Sequence, residues 1–327
     1  MARVTVVTPN PAVDITYRVP RQRIGETVRV QDVLRRAGGK GLNVARVLRT
    51  LGVDVVAVHP LGGAAGQWIT RELAAEGIPA HAVELADETR STVTVVDDVE
   101  HPTVLAEAGP HVPPRAWAQL NERVAQSCED GDVLVVSGSL PPRTTPAYVT
   151  DLIGAGRRAG ARVIVDVSGA GLLAAAAAGA DLLKPNAEEA LAATGAADLP
   201  AAVAQLLRAG ARGVVVSRGS AGLIAVGPDG QQVYQDAVPG VSGNPTGAGD
   251  AATAGIAAAW ARGAPLPVAL RWASLLGAAA VLRPSAGEVD PDDLTVLAAR
   301  LPDLPAALRS SSLLPATTST PPGTRAG

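Results

Sequence analysis

The chain has 327 residues, with 28 Lys and Arg against 31 Asp and Glu, and 47% of its positions are hydrophobic. That length and apolar content can build one large α/β domain or two ordinary ones, which excludes wholesale disorder. A net charge of −3 argues against nucleic-acid binding by bulk charge, and a single cysteine excludes a disulfide framework or a multi-cysteine zinc site.

We expect no export signal in the N-terminal residues. The apolar run at 4–7 is short and stops at Thr8-Pro9-Asn10-Pro11. No stretch of the sequence reaches the ~18 uninterrupted apolar residues that a membrane span needs. We therefore expect a cytoplasmic protein without a membrane partner.

Strand-like runs alternate with Ala- and Leu-rich helical patterns along the chain. The predicted strands are 4–7, 53–58, 92–97, 133–137, 162–166, 182–183, 213–217 and 223–226. The predicted helices are 42–51, 67–76, 114–127, 146–159, 187–194, 199–209, 250–262, 267–282 and 292–301. Near-continuous apolar strands separated by helices predict a mostly parallel central sheet with helices on both faces.

Two segments, 15–34 and 82–107, contain strand patterns without helices between them. Segments 16–19 and 27–30 alternate polar and apolar residues, as half-exposed antiparallel strands do. We predict that they form a small sheet beside the main domain, with an edge hairpin as the alternative. The C-terminal tail from about residue 310 is rich in Ser, Thr and Pro, and its composition predicts disorder.

Glycine turns at two places precede helical patterns. Gly38-Gly39-Lys40-Gly41 leads into one, and Gly247-Ala248-Gly249-Asp250 leads into another. Amides at such a turn can hold a charged oxygen, and an adjacent Asp can act as a general base. A plain tight turn is the alternative for the first segment, and a dipole partner in the first helical turn is the alternative for Asp250. A dinucleotide loop fits poorly, because no clean strand pattern precedes the first glycines.

The sequence contains only two lysines, Lys40 and Lys184, among many arginines. A compact ammonium retained in such a chain hints at a site that a planar guanidinium does not suit. Lys184-Pro185-Asn186 and the following acids suit phosphate and hydrated Mg²⁺, with a simple helix start as the alternative. The glycine turn at 217–222 could equally be a plain hairpin. A P-loop motif is absent from the sequence.

Five motifs in order resemble the PfkB-type, ribokinase-like sugar kinases, closest to the 1-phosphofructokinase and tagatose-6-phosphate kinase branches. They are Asn10-Pro11-Ala12-Val13-Asp14, Gly38-Gly39-Lys40-Gly41 with Asn43, Ser137-Gly138-Ser139-Leu140-Pro141-Pro142, Lys184-Pro185-Asn186 with Glu189, and Gly247-Ala248-Gly249-Asp250. The resemblance covers about residues 3–300. It implies a three-layer α/β kinase domain over 1–304, lid segments at about 12–34 and 82–110, and a disordered tail over 305–327.

The resemblance also implies roles for individual residues in ATP-dependent phosphorylation of a sugar phosphate. Asp250 would be the base, and the amides of Gly247, Ala248 and Gly249 the anion hole. The substrate would meet Asp14, Arg29, Gly39, Lys40, Asn43, Arg90 and Ser139. The nucleotide would meet Lys184, Asn186, Ser217, Gly219, Gly222, Ser274 and Gly277, and Glu189 would help to hold Mg²⁺ through water.

The resemblance favours fructose 1-phosphate as the substrate, because the loop of the related 6-phosphofructokinases tends to lack the lysine of Gly38-Gly39-Lys40-Gly41. A free sugar or nucleoside is disfavoured, because Lys40 and Arg90 together imply a second anion. Tagatose 6-phosphate and fructose 6-phosphate stay open, as does a non-catalytic sugar-phosphate sensor on the same fold. A Rossmann-type oxidoreductase is disfavoured, because it would need a dinucleotide fingerprint that this sequence does not spell. The chain departs from the family at Thr246, Ala251, Arg218 and 106–110. Lids of two subunits often clasp in relatives, so a homodimer is expected.

Overall fold

The computed structural model describes residues 2–23, 25–97 and 102–302. The strands are β1 (Val4–Val7), β2 (Ala12–Arg18), β3 (Asp32–Gly38), β4 (Val55–Gly62), β5 (Ala80–Leu85), β6 (Arg90–Val96), β7 (Thr103–Ala106), β8 (Val133–Ser137), β9 (Arg162–Asp166), β10 (Leu182–Leu183), β11 (Val214–Ser217), β12 (Leu223–Val226) and β13 (Gln232–Gln235). The predicted disordered tail lies outside the described residues.

Helices alternate with strands over much of the chain, while three helices in succession end the described part. The helices are α1 (Lys40–Thr50), α2 (Gly63–Ala75), α3 (Pro114–Ser127), α4 (Pro146–Arg158), α5 (Ala170–Ala177), α6 (Ala187–Thr194), α7 (Leu199–Ala209), α8 (Ala248–Ala261), α9 (Leu266–Val281) and α10 (Pro291–Ala298). A 3-10 turn at Gly219–Ala221 joins β11 to β12.

A nine-stranded sheet forms the centre, in the order β13-β12-β11-β10-β9-β8-β1-β4-β5. Its pairs are parallel from β11 to β5, whereas β11–β12 and β12–β13 are antiparallel. One apolar core joins this sheet to α1, α2, α8, α9 and α10, and a second joins it to α3, α4, α5 and α7. The Val-rich central strands are buried on both faces, and this confirms the predicted three-layer α/β architecture.

A separate four-stranded sheet has the order β3-β2-β6-β7, and we call it the lid sheet. The prediction of a small second sheet is confirmed, but two of its details were wrong. β5 belongs to the edge of the main sheet rather than to the lid sheet, and residues 27–30 form no strand. A lid strand, β3, also leads directly into the glycines before α1, so the expectation that no strand precedes them was wrong.

The strand order reverses between β1 and β8, because the chain winds outward from these neighbours in opposite directions. Ligands of open α/β sheets bind outside the carboxyl ends of the strands at such a point. Within the described ranges, no single helix is long and apolar enough to cross a membrane. The pair α6 and α7 meets that test of length and composition only together, with a bend of 64° between the helices.

Candidate active site

Asp250 lies in the first turn of α8, within hydrogen-bond distance of Asn43 on α1. Gly247 caps this helix with φ of 84°, a backbone conformation that favours glycine. A Cβ at Gly247 would also lie 2.7 Å from the Ala286 side chain. The turn before α8 therefore depends on a residue without a side chain, and it presents Asp250 at a fixed place.

The Asp250 carboxylate is buried, with 6% of the residue exposed. Its Oδ2 accepts a hydrogen bond from Asn43 Nδ2 at 2.8 Å. Burial and the nearby negative charge of Asp166 raise the pKa of Asp250 to about 7, against the opposing effects of Asn43, Lys40 and Lys184. A carboxylate in this state is suited to accept a proton near neutral pH.

The amides beside Asp250 only partly match the predicted anion hole. The N–H of Ala248 donates to the Pro245 carbonyl at 3.2 Å, so this amide already has an acceptor within the turn, and its predicted contact with an anion stays a prediction. The N–H groups of Gly247 and Gly249 make no hydrogen bond to the described residues. Lys184 Nζ lies 3.7 Å from the position that a Gly249 Cβ would take. The Lys184 ammonium therefore lies beside Gly249 at the start of α8.

Asp166 links both lysines of the chain. It ends β9 and is buried, and Lys184 Nζ lies 3.0 Å from its Oδ2. Thr253 donates to the same oxygen at 2.9 Å, while Lys40 Nζ lies 3.5 Å from Oδ1. The two ammonium groups hold the pKa of Asp166 below its usual range despite its burial. No sequence motif points to Asp166, although it stands at the carboxyl end of a predicted strand.

Glu189 lies in the first turn of α6, where it forms a reciprocal cap with Asn186. Its Oε2 accepts from the Asn186 N–H at 3.0 Å, and its Oε1 lies 3.2 Å from Lys40 Nζ. Asp166 and Glu189 both raise the pKa of Lys40, against the effect of its burial. Lys40 is thus grouped with residues predicted to meet the nucleotide and metal, whereas it had been predicted to meet the sugar phosphate.

A second polar group lies at the base of the lid sheet. Asp14 and Gly38 are so close that a Cβ at Gly38 would lie 2.0 Å from Asp14 Oδ2. The Asp14 carboxylate accepts from the Gly39 N–H and from Thr92, and burial raises its pKa. Arg90 donates to the carbonyls of Asn10 and Glu107 at 3.2 and 3.0 Å.

Asn10 connects this group to the loop after β8. Its Nδ2 donates to Ser139 Oγ at 3.2 Å and to the Ala108 carbonyl at 3.0 Å. Arg29 is exposed in the loop between β2 and β3, and it makes no hydrogen bond or ion pair to the described residues. The structure thus brings Asp14, Gly39, Arg90 and Ser139 to one side of the cleft and leaves Arg29 apart.

The residues predicted to bind the nucleotide follow β10, lie at or after the end of β11, or lie on α9. Ser217 forms an isolated parallel bridge with Asn186, next to the turn that contains Gly219. Gly222 passes so close to the Gln235 carbonyl that a Cβ would lie 2.2 Å from it. The Ser274 hydroxyl donates to the Asp236 carbonyl at 2.8 Å, and Gly277 packs under the start of α8. Ser274, Gly222 and Gly277 therefore have clear packing roles here.

The fold and this arrangement of a buried acid, free amides and two lysines define a phosphotransferase that acts on an alcohol acceptor. The family profile described as pfkB family carbohydrate kinase matches residues 7–293, and the chain belongs to this family. Membership implies the use of ATP.

Several relatives support this assignment. The chain is 35% identical over 296 residues to the ATP-dependent 6-phosphofructokinase isozyme 2 of Escherichia coli, covering 86% of this chain and 93% of that protein. It is 32% identical over 263 residues to a tagatose-6-phosphate kinase of Staphylococcus epidermidis, covering 78% of this chain and 84% of that one. The crystal structure of phosphofructokinase-2 from E. coli in complex with fructose-6-phosphate superposes with a TM-score of 0.83 at 32% identity, covering 92% and 99% of the two chains.

Proposed function

We propose that this protein is a hexose-phosphate kinase that transfers the terminal phosphoryl group of ATP to fructose 1-phosphate, giving fructose 1,6-bisphosphate. The observation that carries the proposal is the buried Asp250 carboxylate beside the free N–H groups of Gly247 and Gly249. Transfer to an alcohol needs a group that takes the hydroxyl proton and dipoles that hold the charge of the moving phosphoryl group. Both requirements are met at the start of one helix.

Asp250 is the general base in this proposal. Asn43 donates to Oδ2, so Oδ1 of the same carboxylate is left to take the proton of the attacking hydroxyl. The amides of Gly247 and Gly249 and the ammonium of Lys184 stabilise the negative charge on the transferred group. Lys40 lies between Asp166 and Glu189, and this position favours contact with the transferring phosphates over the phosphate of the sugar.

The sugar phosphate binds at the base of the lid sheet. The Asp14 carboxylate accepts hydrogen bonds from sugar hydroxyls, and Gly39 and Asn43 complete this contact. Arg90 and the hydroxyl of Ser139 bind the phosphate that the sugar already has. Arg29 is the exposed cation that joins them when the lid sheet closes over the substrate and excludes water.

ATP lies across the carboxyl ends of β10 and β11. Lys184 and Asn186 meet its phosphates, the turn at Ser217, Gly219 and Gly222 meets the nucleotide, and Ser274 and Gly277 back it from α9. The described residues include no group of three or more His, Cys, Asp or Glu side chains that could cage a metal. Mg²⁺ keeps several waters and binds through one or two carboxylates and phosphates, so Glu189 fits a hydrated ion held on the nucleotide, where the ion offsets phosphate charge.

The names of two relatives support two other substrates at the same site. One is a tagatose-6-phosphate kinase, and the other was solved with fructose-6-phosphate. All three sugar phosphates offer an alcohol to a base and a phosphate to Arg90, so these contacts alone do not separate them. A non-catalytic sugar-phosphate sensor is disfavoured, because Asp250 and the flanking glycines are intact.

The test is ADP release measured with fructose 1-phosphate, fructose 6-phosphate, tagatose 6-phosphate and free hexoses. We expect the highest kcat/KM for fructose 1-phosphate, and a loss of about 10²–10⁴ in kcat for Asp250→Asn, the range for a positioned base. Asp151→Asn, an exposed acid on α4, is the matched control and keeps its activity. Preference for a free hexose, or normal turnover by Asp250→Asn, would overturn the proposal.

We also propose a cytoplasmic location and a homodimer formed through the lid sheets. One solved structure is described as the tetrameric inhibited form of phosphofructokinase-2 from E. coli, with a TM-score of 0.83 and 32% identity to this chain. Assembly of that relative supports assembly of this protein. Apolar side chains exposed on the lid sheet, among them Val33 and Leu105, support it as the contact surface.

A further inference from the structure

Asp250 is one end of a buried chain of hydrogen bonds that runs away from the cleft. Asn43 donates to Asp250, and Arg46 Nη1, one turn along α1, donates to Asn43 Oδ1 at 3.3 Å. Arg46 Nη2 also donates to the Ala37 carbonyl at 2.8 Å, and its Nε donates to Glu76 Oε2 at 2.9 Å. Each hydrogen-bonding nitrogen of this guanidinium therefore has its own acceptor.

The chemistry of arginine fixes the direction of this chain. A guanidinium has donors only, so the side-chain amide of Asn43 must turn its oxygen toward Arg46 and its NH₂ toward Asp250. With the amide reversed, its oxygen would face the Asp250 carboxylate, and two acceptors would repel each other. The contact with Arg46 thus decides whether Asn43 stabilises or disfavours the charged form of Asp250.

Packing leaves Asn43 and Arg46 little freedom. Arg46 is buried, with 7% of the residue exposed. Gly287 lies over both side chains, and a Cβ there would be 2.9 Å from Asn43 Oδ1 and 3.0 Å from Arg46 Nη1. A planar guanidinium anchored on two further acceptors holds its third hydrogen bond in a fixed direction.

We propose that Arg46 is a positioning residue, which orients the Asn43 amide so that Asn43 donates to Asp250 Oδ2 and leaves Oδ1 for the substrate hydroxyl. The inference rests on the proposed function in one respect, the role of Asp250 as the base. Arg46 touches neither substrate nor Asp250, and it acts through Asn43. Glu76, at the end of α2, holds Arg46 in turn.

Other charged groups also act on Asp250, and they reach it from different elements. Asp166 at the end of β9 raises its pKa, while Lys40 on α1 and Lys184 after β10 lower it. In the described part of the chain, none of these three forms a hydrogen bond or ion pair with Arg46. A change at Arg46 therefore reaches Asp250 through the orientation of Asn43, apart from the loss of one positive charge.

The experiment follows the Asp250 carboxyl carbon by ¹³C NMR as pH is varied, with Asp250→Asn to assign the signal. In Arg46→Met we expect the pKa of Asp250 to rise by about one unit, a tenfold change in proton affinity. The acid limb of kcat/KM for fructose 1-phosphate should move upward with it. A misplaced base lowers kcat by up to about 10²-fold, and KM for ATP should stay unchanged.

Two variants separate orientation from charge and from folding. Arg46→Lys keeps the charge and one donor, so it should restore part of the wild-type pKa. Arg49→Met removes an exposed positive charge from the same helix and should leave the Asp250 signal unchanged. If Arg46→Met does not fold, Arg46→Lys still gives the test, with a smaller upward shift expected.

An unchanged Asp250 pKa in a folded Arg46 variant would overturn the inference. The NMR titration does not depend on turnover, so the inference and the proposed function can fail separately. A shifted Asp250 in a protein that phosphorylates no sugar phosphate would refute the proposed function and keep the positioning role. Normal sugar-phosphate turnover with an unchanged Asp250 pKa in the Arg46 variants would keep the proposed function and refute the positioning role.

Discussion

Two buried carboxylates that interact with the same pair of lysines have pKa values shifted in opposite directions. Asp166 is paired with Lys184 and Lys40, which hold its pKa below its usual range. Among the described residues, Asn43 alone donates a hydrogen bond to the Asp250 carboxylate, and burial raises the pKa of Asp250 to about 7. Environments that push two titratable groups apart assign them different chemical roles. Asp166 is a permanent anion that organises the lysines, and Asp250 is the group that can exchange a proton.

Because the pKa of Asp250 is raised, this carboxyl group makes the free energy of unfolding decrease as pH rises. Between its unfolded value near 3.8 and its folded value of about 7, the folded protein binds the extra proton. The contribution of Asp250 to the free energy of unfolding is therefore fully present below about pH 4 and is lost as pH rises through 7. We expect Asp250→Asn to be more stable than the wild type at pH 8, by a few kcal/mol, with little gain at pH 4. Urea unfolding at several pH values measures this difference.

His59 is buried too, and burial lowers its pKa to about 4, so its own contribution is lost as pH falls from 6.5. His59 is present in both proteins, so the difference in unfolding free energy between Asp250→Asn and the wild type cancels the pH dependence that His59 contributes. A constant difference from pH 4 to pH 8 would contradict the raised pKa. The same pKa predicts that kcat/KM of the wild type falls on the acid side of about pH 7.

The site residues that the sequence could predict are those inside short motifs at predicted helix starts. Asp250 and Asn43 stand near glycines, Lys184 opens the segment Lys184-Pro185-Asn186, and the structure brings all three together. Asp166 and Arg46 could not be found this way, because each is placed by partners far away in the sequence. Asp166 meets Lys40 and Lys184, and Arg46 meets Glu76 from another helix. Such roles depend on the packed fold rather than on a local pattern.

At the scale of elements, α8 is held in place by its close contact with α9. Both helices are rich in Ala and Gly, so their backbones approach closely. A Cβ at Gly255 would lie 2.8 Å from the backbone of Trp272 and of Ala273. Since Asp250 stands one turn before Gly255 on the same helix, this contact also fixes the position of the base.

We predict that Gly255→Ala pushes α8 away from α9. Overpacking of a buried contact costs about 1–3 kcal/mol of unfolding free energy, which exceeds the helix propensity gained from alanine. The displaced Asp250 should lower kcat more than it changes KM for the sugar phosphate. Thermal or urea unfolding and steady-state kinetics of the same sample measure both effects.

Gly154→Ala on α4 is the matched control for this substitution. A Cβ there meets only the flexible end of Arg158, at 2.9 Å. Alanine in this helix should be neutral or stabilise the protein by about 0.5–1 kcal/mol. Equal stability changes in the two variants would show that the contact between α8 and α9 is not as tight as the structure has it.

The sequence predicted most helices and buried strands, because their apolar periods are long and clear. It missed α5, whose run of Ala and Leu is apolar on every side and shows no helical stripe. It also placed the edge strand β5 in the lid sheet, because that assignment depends on parallel pairing with β4 rather than on its own residues. Pairing between distant strands is the information that a local pattern does not contain.

At the scale of the whole molecule, both faces of the lid sheet expose apolar side chains, and Leu34 and Val104 share the face of Asp14 and Thr16 with polar residues. Asp14 and Thr16 alternate along β2 with Ile15 and Tyr17, so the two pairs lie on opposite faces. The register places Val33 beside Tyr17, and Leu105 beside Val93, on the face opposite Asp14. Val33 is 47% exposed and Leu105 60% exposed. Ion pairing of Arg36 with Glu288 ties β3 to the main domain.

An exposed apolar face on a small sheet indicates a protein contact, and a second copy of the chain is the occupant that we propose. We predict that Leu105→Glu weakens the homodimer, because a charge would be buried without a partner in the contact. Light scattering across a range of concentrations should show the wild type as a dimer and the variant as a monomer. The kcat/KM for the sugar phosphate should fall, since a lid sheet without its partner closes less completely.

Val296→Glu supplies the comparison for that variant, because Val296 is an equally exposed apolar side chain on α10, away from the lid sheet. It should keep the mass and the activity of the wild type. A wild-type protein that stays monomeric at all concentrations would refute the dimer. If the Leu105→Glu protein remains dimeric, the dimer contact must lie on another surface, because a glutamate buried in an apolar contact would lose its hydration.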